Sequence, residues 1–287
     1  MNDAICLITG ANAGIGLETA RALAARGATV VMAGRDPKKV EGAVCQVGGS
    51  AASGNVEPLV CNLASMRSIE AAASEFRARH TKLDLLINNA GLFLSDRIVT
   101  EDGFESTIAI NHLGHFLLTH LLSDRILGSG NARVVNVSSN AHYSAKGIDV
   151  DDVHAGKRRY SGVRAYAESK LANVLFTRAL ARRWSGRGVT VNAVHPGVVN
   201  TRIAADGDAR GVIKLLWDIG RPFMLSPADG AKTSLYVATS DEGGAVTGRY
   251  FVKSAQRRPS RYALDNALAE RLWEASERAV GFERSHG

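Results

Sequence analysis

Short, uninterrupted apolar runs recur along the chain, with stretches of helical spacing between them. The first run is residues 4–9, and the others are Thr29–Ala33, Val56–Cys61, Leu83–Asn88, Arg133–Val137, Val189–Val194 and Tyr250–Val252. A continuous apolar run is typical of a strand buried on both faces of a parallel sheet. Strands that alternate with helices predict right-handed βαβ units, and hence an α/β fold with a doubly wound parallel sheet of about seven strands.

Composition favours a single domain that covers residues 1–287. The hydrophobic share of 45% is enough for a substantial core, and no stretch resembles a linker. Three cysteines, Cys6, Cys45 and Cys61, lack CxxC spacing and suggest a reducing, cytoplasmic location without disulfides or zinc. We find no secretory signal and no run approaching the roughly 18 apolar residues of a membrane span, so we expect no membrane anchor.

The net charge of +7 raises nucleic-acid binding as an alternative. The basic clusters are Lys157-Arg158-Arg159, Arg182-Arg183 and Arg257-Arg258. They are short, separate and not interleaved with aromatic residues that could stack on bases. We therefore favour a solvated basic surface that attracts a polyphosphate cofactor, and expect no nucleic-acid partner.

A glycine-rich turn directly follows the first predicted strand and opens a helix. We expect Gly10 to permit the tight turn, Gly14 to let the backbone approach a pyrophosphate, and Gly16 to allow helix and strand to pack closely. The helix N-terminus would face the phosphates with unpaired N–H groups and a favourable dipole. The turn predicts a dinucleotide site lined by Gly10, Asn12, Ala13, Gly14, Ile15 and Gly16.

The end of the second predicted strand indicates which dinucleotide binds. An acidic residue there would hydrogen-bond the ribose hydroxyls of NAD and repel a 2′-phosphate. The strand instead ends in Gly34, and Arg35 follows with a planar donor fork suited to phosphate. NADP(H) is therefore the expected cofactor. In the alternative, Arg35 merely points to solvent and Asp36 caps the next helix.

Tyr166 and Lys170 lie four residues apart at the start of a strongly helical segment, so they share one helix face. A phenol titrates near pH 10 in water, too high for a proton donor and acceptor at neutral pH. A neighbouring ammonium favours the phenolate and lowers that pKa. The pair is therefore a candidate for acid–base chemistry.

Several motifs follow one another along the chain. They are residues 9–16, Asn88-Asn89-Ala90-Gly91, residues 111–116, residues 135–139, Tyr166-xxx-Lys170 and residues 195–201. Together they resemble the ordered signatures of the short-chain dehydrogenase/reductase family, and residues 111–119 and 169–177 look most like its retinol dehydrogenase and WW-domain oxidoreductase branch. The resemblance implies a single-domain Rossmann fold. It also implies an oxidoreductase that moves a hydride between a nicotinamide and a carbonyl or alcohol carbon.

The resemblance implies a catalytic role for each of four residues. Tyr166 would be the general acid in carbonyl reduction and the base in the reverse direction. Lys170 would hold the nicotinamide ribose and lower the pKa of Tyr166. Ser139 would donate a hydrogen bond to the substrate oxygen. Asn111 would anchor a water that links Lys170 to solvent.

Further cofactor contacts implied by the resemblance lie at the ends of several strands. They are Asn62, Leu63, Asn89, Ala90, Gly91, Pro196, Gly197, Val199 and Thr201, besides Tyr166 and Lys170. Asn62 replaces the aspartate that relatives usually place near adenine, but an amide can still donate and accept. Val199 and Thr201 would hold the carboxamide.

Two groups of residues invite a metal hypothesis. One is Asp149, Asp151, Asp152 and His154 on a long polar loop; the other is His112, His115 and His120. We interpret the first as a solvated loop. The histidines lack HExxH spacing and are interpreted as helix-packing or surface residues. We expect no metal.

The segment 201–227 is the densest apolar stretch outside the sheet. It is either a lid over the nicotinamide, which would mean a bulky, apolar substrate, or a helix packed on the domain. The expected partner is a small-molecule carbonyl or alcohol, and the resemblance allows a homodimer through the helices carrying Asn111 and Tyr166. An alternative function is a catalytically idle, NADP(H)-sensing protein. A serine hydrolase would need a Gly-x-Ser-x-Gly elbow, which is missing from the sequence.

Overall fold

The computed structural model describes residues 1–49, 55–154, 156–199 and 224–282. The fold is built around a central sheet. Its strands are β1 Ile5–Thr9, β2 Thr29–Gly34, β3 Val56–Val60, β4 Leu85–Asn88, β5 Ala132–Val137, β6 Val189–His195, β7 Tyr250–Val252 and β8 Ala255–Arg257. The order is β3-β2-β1-β4-β5-β6-β7-β8, parallel except for the antiparallel pair β7 and β8. The predicted α/β fold and doubly wound sheet are confirmed. The strand number was underestimated, because β8 is a fully exposed run of three residues without an apolar pattern.

Helices cover both faces of the sheet. They are α1 Gly14–Ala24, α2 Pro37–Gly48, α3 Met66–Arg79, α4 Ser106–Ile108, α5 Gly114–Leu121, α6 Ser123–Leu127, α7 Gly162–Arg183, α8 Pro227–Thr239, α9 Asp241–Ala245 and α10 Asn266–Ala279. A π-helical turn, Ala109–Leu113, joins α4 to α5. Side chains cap the starts of α2, α3, α7 and α10, where Asp36, Ser65, Ser161 and Asp265 accept from backbone N–H groups.

The strand order determines where the functional loops meet. The chain leaves β1 in one direction to build β2 and β3, and in the other to build β4 to β7. Ligands in such sheets bind outside the carboxyl ends of the strands, at this point of reversal. The loops after β1, β4, β5 and β6 therefore open at one edge of the sheet.

Helix α10 packs against the helices that follow β4 and β5. Its Trp273 is 7% exposed, and the indole lies 4.9 Å from the ring of Phe116 on α5 and 6.0 Å from that of Phe176 on α7. The guanidinium of Arg183 stacks 3.9 Å from the indole centroid. The chain thus covers part of the α5 and α7 surface with its own helix. The homodimer expected through these helices stays a prediction.

Ion pairs account for much of the basic clustering seen in the sequence. Arg158 pairs with Glu168 and Asp152, while Arg182 and Arg183 both pair with Glu270. These cations therefore have carboxylate partners within the fold. Over the part of the chain described, none of the helices is both long and apolar enough to span a bilayer.

The expected lid, residues 201–227, lies mostly outside the described residues, which resume at 224. Leu225 donates its backbone N–H to the carbonyl of Val198, 2.8 Å away. Ser226 then caps α8. The segment's far end is thus tied to the chain just after β6.

Candidate active site

The glycine turn after β1 has the backbone geometry expected for a phosphate cradle. Gly10 and Gly14 adopt positive φ angles of 64° and 56°, which side chains disfavour. A Cβ on Gly10 would lie 3.0 Å from the Cα of Ala90, and one on Gly16 would overlap the carbonyl oxygen of Gly10. The three glycines therefore allow the turn, the helix and the loop after β4 to approach closely.

The N-terminus of α1 fits a pyrophosphate. The residue before it, Ala13, is extended and has no side chain able to cap the helix. The first N–H groups of α1 thus remain available to an anion and carry the positive end of the helix dipole. Asn12 lies within the turn, and its amide oxygen would be 3.1 Å from a Cβ on Gly34. Ile15 is buried against Val199 and Ala231.

Arg35 is exposed directly after β2. Within the described residues its guanidinium makes no hydrogen bond or ion pair, whereas the carboxylate of Asp36 accepts from the backbone N–H of Lys39 at 3.2 Å. Asp36 is thus occupied as the cap of α2. Farther along this edge, the side-chain amide oxygen of Asn62 accepts a hydrogen bond from the backbone N–H of Ala64 at 3.1 Å. The neighbouring Leu63 is buried.

The loop after β4 is tied to the glycine turn through Thr9. The Thr9 hydroxyl accepts from the backbone N–H groups of Asn89 at 2.9 Å and Ala90 at 3.0 Å. The Asn89 amide donates to the Thr9 carbonyl at 2.8 Å. Next to it, a Cβ on Gly91 would lie 3.1 Å from Lys170 Nζ. This loop therefore connects the glycine turn to α7, the helix that carries Tyr166 and Lys170.

Tyr166 and Lys170 lie one turn apart on α7, as the spacing predicts, and Ser139 follows β5. The Ser139 side chain lies beside the Tyr166 phenol and acts to lower the pKa of that phenol. The ammonium of Lys170 lies 5.6 Å from the Tyr166 ring centroid and donates to the carbonyl of Val137 at 3.3 Å. These three residues come together from two elements and form a compact polar cluster at the carboxyl edge of the sheet.

Burial affects both ionisable groups of this cluster. It lowers the pKa of Lys170, which is 3% exposed, to about 8. It also raises the pKa of the Tyr166 phenol, and the neighbouring Ser139 side chain only partly opposes this. Sequence reasoning expected a lowered phenol pKa. Desolvation reverses the direction here because a charged phenolate loses water contacts that the ring's surroundings do not replace.

Asn111 belongs to the π-helical turn and is fully buried. Its amide oxygen accepts from the N–H of Leu92 at 2.8 Å, and its amide nitrogen donates to the Leu92 carbonyl at 3.0 Å and to Ser169 Oγ at 2.9 Å. The side chain expected to hold a water thus holds the loop after β4 against α7.

The loop after β6 contributes the remaining expected contacts. Gly197 has a positive φ of 97°, and a Cβ there would meet the side chain of Leu225. Pro196 is half-buried, and Val199 is buried against Ile15 of α1. Thr201 lies outside the described residues.

Two histidines near the site were not predicted to take part in it. His142 donates from Nδ1 to the carbonyl of Ser139 at 2.6 Å and accepts at Nε2 from the N–H of Ser260 at 3.1 Å. His115 contacts Thr9 and Asn111. Only His115 left a signal in the sequence, since it follows Asn111 by one helical turn.

The polar loop between β5 and α7 does not gather metal ligands. Asp152 accepts from the N–H groups of Gly156 and Lys157 and pairs with Arg158. In the described portion of the chain, no three His, Cys, Asp or Glu residues form a metal-binding group.

A cavity of about 440 Å³ opens at the start of α7, where Gly162 and Val163 line it. Phe93, Tyr160, Val163 and Arg159 are among its lining residues, and the Phe93 ring contacts the Tyr166 ring edge-on at 5.8 Å. This volume lies within the range of small-molecule sites. Phe93 therefore lies between this cavity and the Tyr166 ring.

A family model described as short chain dehydrogenase matches residues 4–210. The chain is a short-chain dehydrogenase. Human retinol dehydrogenase 12 is 45% identical to it over 277 residues, 96% of this chain and 86% of the relative. Human retinol dehydrogenase 13 is 42% identical over 280 residues, 96% of this chain and 84% of the relative.

Among solved structures, an uncharacterized protein from Mycobacterium paratuberculosis superposes on this short-chain dehydrogenase with a TM-score of 0.80. It is 36% identical and the match covers 98% of this chain and 95% of that one. The comparisons confirm the resemblance to the retinol dehydrogenase branch and the Rossmann fold. The protein is therefore an oxidoreductase of a family that binds NAD(P) and acts on small molecules.

Proposed function

We propose that this short-chain dehydrogenase is an NADP(H)-dependent carbonyl reductase and alcohol dehydrogenase for a bulky, apolar aldehyde, ketone or alcohol. The observation that carries the proposal is the cluster of Ser139, Tyr166 and Lys170 at the sheet edge that also bears the glycine turn. Acid–base groups next to a dinucleotide cradle suit the reduction of a carbonyl.

The cradle fits the cofactor. Uncapped N–H groups at the start of α1 would bind the pyrophosphate, and residues 89–91 would line the adenosine side. Val199 and the loop after β6 would face the nicotinamide. When bound, the nicotinamide supplies the hydride for reduction or accepts it in oxidation.

Tyr166 is the proposed proton donor. A phenol whose pKa is raised by burial stays protonated at neutral pH, so it can deliver its proton to the carbonyl oxygen as the carbon is reduced. Ser139 would donate a hydrogen bond to the same oxygen, where negative charge develops. In alcohol oxidation the two residues act in reverse.

Lys170 supplies positive charge beside the phenol. With a pKa of about 8, its ammonium is mostly charged at pH 7. That charge favours the phenolate left after proton transfer. Asn111 acts indirectly, because its amide holds Leu92 and so the loop that faces Lys170.

The preference for NADP(H) rests on Arg35 and Asp36. Arg35 is exposed and unpaired among the described residues, so its guanidinium is available to a 2′-phosphate. The only nearby carboxylate on this turn, that of Asp36, is used to cap α2 and does not offer itself to the ribose hydroxyls of NAD. A charge-assisted hydrogen bond of this kind contributes about 1.5–3 kcal/mol, which is roughly ten- to a hundredfold in affinity.

Steady-state kinetics with both cofactors test this preference. We expect wild-type kcat/KM to favour NADPH over NADH by roughly ten- to a hundredfold, and Arg35→Ala to remove most of that by weakening NADPH alone. Arg187→Ala is the matched control, because it deletes an exposed arginine just before β6, at the opposite edge of the sheet. Equal loss with both cofactors in Arg35→Ala would contradict the assignment.

The proposed substrate class rests on the cavity and on the relatives. Phe93, which contacts Tyr166, and Val163 add apolar surface to the cavity at the start of α7, and the similar human proteins are named for retinol, a long apolar alcohol. The apolar segment 203–225 would add to this surface if it forms a lid. NADPH consumption with a panel of small and large aldehydes, ketones and quinones tests the class.

The competing function is an idle NADP(H) sensor. The placement of Ser139 and Lys170 beside the Tyr166 phenol argues against it, because a sensor has no need of a proton donor beside the cradle. Tight NADPH binding without turnover of any member of the panel would favour the sensor.

A further inference from the structure

We propose that His115 is a positioning residue of the active site, whose imidazole joins Thr9 of the cofactor cradle to the backbone of Asn111. Its Nε2 lies 2.8 Å from Thr9 Oγ1, and its Nδ1 lies 3.2 Å from the carbonyl oxygen of Asn111. The inference rests on the proposed function, because it concerns the same site. It replaces the packing role expected from the sequence.

The hydrogen bonds around His115 allow only one polarity. The Asn111 carbonyl can only accept, so Nδ1 carries the proton and donates it. Nε2 of a neutral imidazole must then accept, and the Thr9 hydroxyl is its donor. The lone pairs of that hydroxyl are thereby directed at the backbone N–H groups of Asn89 and Ala90. The other acceptor near this hydroxyl, the carbonyl of Ile87, is 3.5 Å away and a poor substitute.

The protonation state of His115 agrees with this arrangement. Burial, with a smaller effect of the nearby Lys170 charge, lowers its pKa to about 4. The ring is therefore neutral at physiological pH, as an accepting Nε2 requires. One imidazole thus fixes the direction of three hydrogen bonds at Thr9.

The hydrogen bond from His115 Nδ1 to Asn111 connects the imidazole to the part of the site that contains Lys170. Asn111 holds Leu92 through both of its amide atoms, and a Cβ on neighbouring Gly91 would lie 3.3 Å from Asn111 Oδ1 and 3.1 Å from Lys170 Nζ. A shift of the π-helical turn would therefore move the loop that faces Lys170. His115 restrains that turn from inside the helix.

His112, in the same helical run, is a buried histidine with a packing role, and it can be compared with His115. It is also fully buried, but its Nε2 contacts Ser276 on α10, and its Nδ1 has no partner among the described residues. It points away from the cradle. His112 is therefore a matched control for the loss of a buried imidazole.

Two conservative variants separate the two contacts. The amide of His115→Asn ends near the Nδ1 position, so it keeps the Asn111 contact and loses Thr9. The longer amide of His115→Gln reaches the Nε2 position and keeps Thr9. We expect His115→Asn to raise the Kd of NADPH about tenfold with kcat within threefold, and His115→Gln to lower kcat about tenfold with Kd within threefold.

A measurement on the protein alone gives a second readout. Amide hydrogen exchange of the peptide covering residues 86–92 should be about tenfold faster in His115→Asn than in wild type, because the Thr9 hydroxyl is then free to turn away from Asn89 and Ala90. His112→Asn should leave exchange of this peptide, the NADPH Kd and kcat within twofold of wild type.

The proposal is overturned if His115→Asn and His115→Gln change Kd and kcat in parallel, if His112→Asn reproduces their losses, or if exchange at residues 86–92 is unchanged. Failure of the proposed function would look different. Wild type would then turn over none of the panel, while the exchange experiment and NADPH binding would still decide the role of His115.

Discussion

Replacing Lys170 by methionine should abolish turnover and at the same time stabilise the protein at pH 7. The ammonium is 3% exposed, and burial lowers its pKa from 10.5 to about 8. At 1.36 kcal/mol per pKa unit, holding the charge there costs about 3 kcal/mol. The variant loses one hydrogen bond to Val137, worth about 1 kcal/mol, but that carbonyl still accepts from Asn173.

The net gain is about 2 kcal/mol, or about 4 °C in Tm for a chain of this size. Its pH dependence has a definite sign. Below pH 8 Lys170 is charged in both the folded and unfolded protein, so the variant's advantage is complete. Between pH 8 and about 10.4, the ordinary lysine pKa, folded wild type has released the proton that unfolded wild type still binds. Wild type therefore gains stability over that window and the advantage shrinks.

Differential scanning calorimetry of both proteins at pH 7 and pH 9.5 measures the effect. Lys39→Met, at an exposed position on α2, is the control and should change stability by less than about 0.5 kcal/mol. The reasoning fails if Lys170→Met is less stable than wild type at pH 7. It also fails if the difference between them is the same at both pH values.

Three further outcomes follow from the site and the core. Tyr166→Phe should reduce kcat at least a thousandfold while the NADPH Kd stays within threefold, because the phenylalanine ring still packs but has no proton to donate. More than a few per cent residual activity would refute the acid assignment. Gly91→Ala, whose Cβ would press on Lys170 Nζ at 3.1 Å, should lower kcat about tenfold with little change in Tm. Trp273→Ala removes a buried indole stacked by Arg183 and should cost about 3–5 kcal/mol, seen as a Tm lowered by roughly 5–9 °C in calorimetry.

Local pattern was enough to predict the fold and the cradle. Gly10 and Gly14 have positive φ angles, a Cβ on Gly16 would overlap the carbonyl oxygen of Gly10, and the four-residue spacing of Tyr166 and Lys170 places them on one helix face. Strand boundaries were close because buried parallel strands are continuous apolar runs. The exposed β8 lacks such a run and was missed.

The pKa shifts and the hydrogen-bond partners within the site depend on contacts between residues far apart in sequence. The raised pKa of Tyr166 reflects burial by several elements, which no local pattern encodes. The side-chain amide of Asn111 is hydrogen-bonded to the backbone of Leu92. His142 donates to the carbonyl of Ser139 and accepts from the backbone N–H of Ser260, so it links Ser139 to the C-terminal region. Spacing gives the direction a side chain takes from its own helix, but not what it meets there.

The position of α10 has a consequence for biosynthesis. Phe116 and Phe176 emerge from the ribosome well before Trp273, the residue that covers them. Until residues 266–279 are translated, the nascent domain presents an uncovered aromatic surface on α5 and α7. Chaperone binding and misassociation should therefore concentrate in this late interval of synthesis. A ribosome that stalls before α10 would leave a chain that contains the glycine turn, Tyr166 and Lys170 but has its aromatic core open.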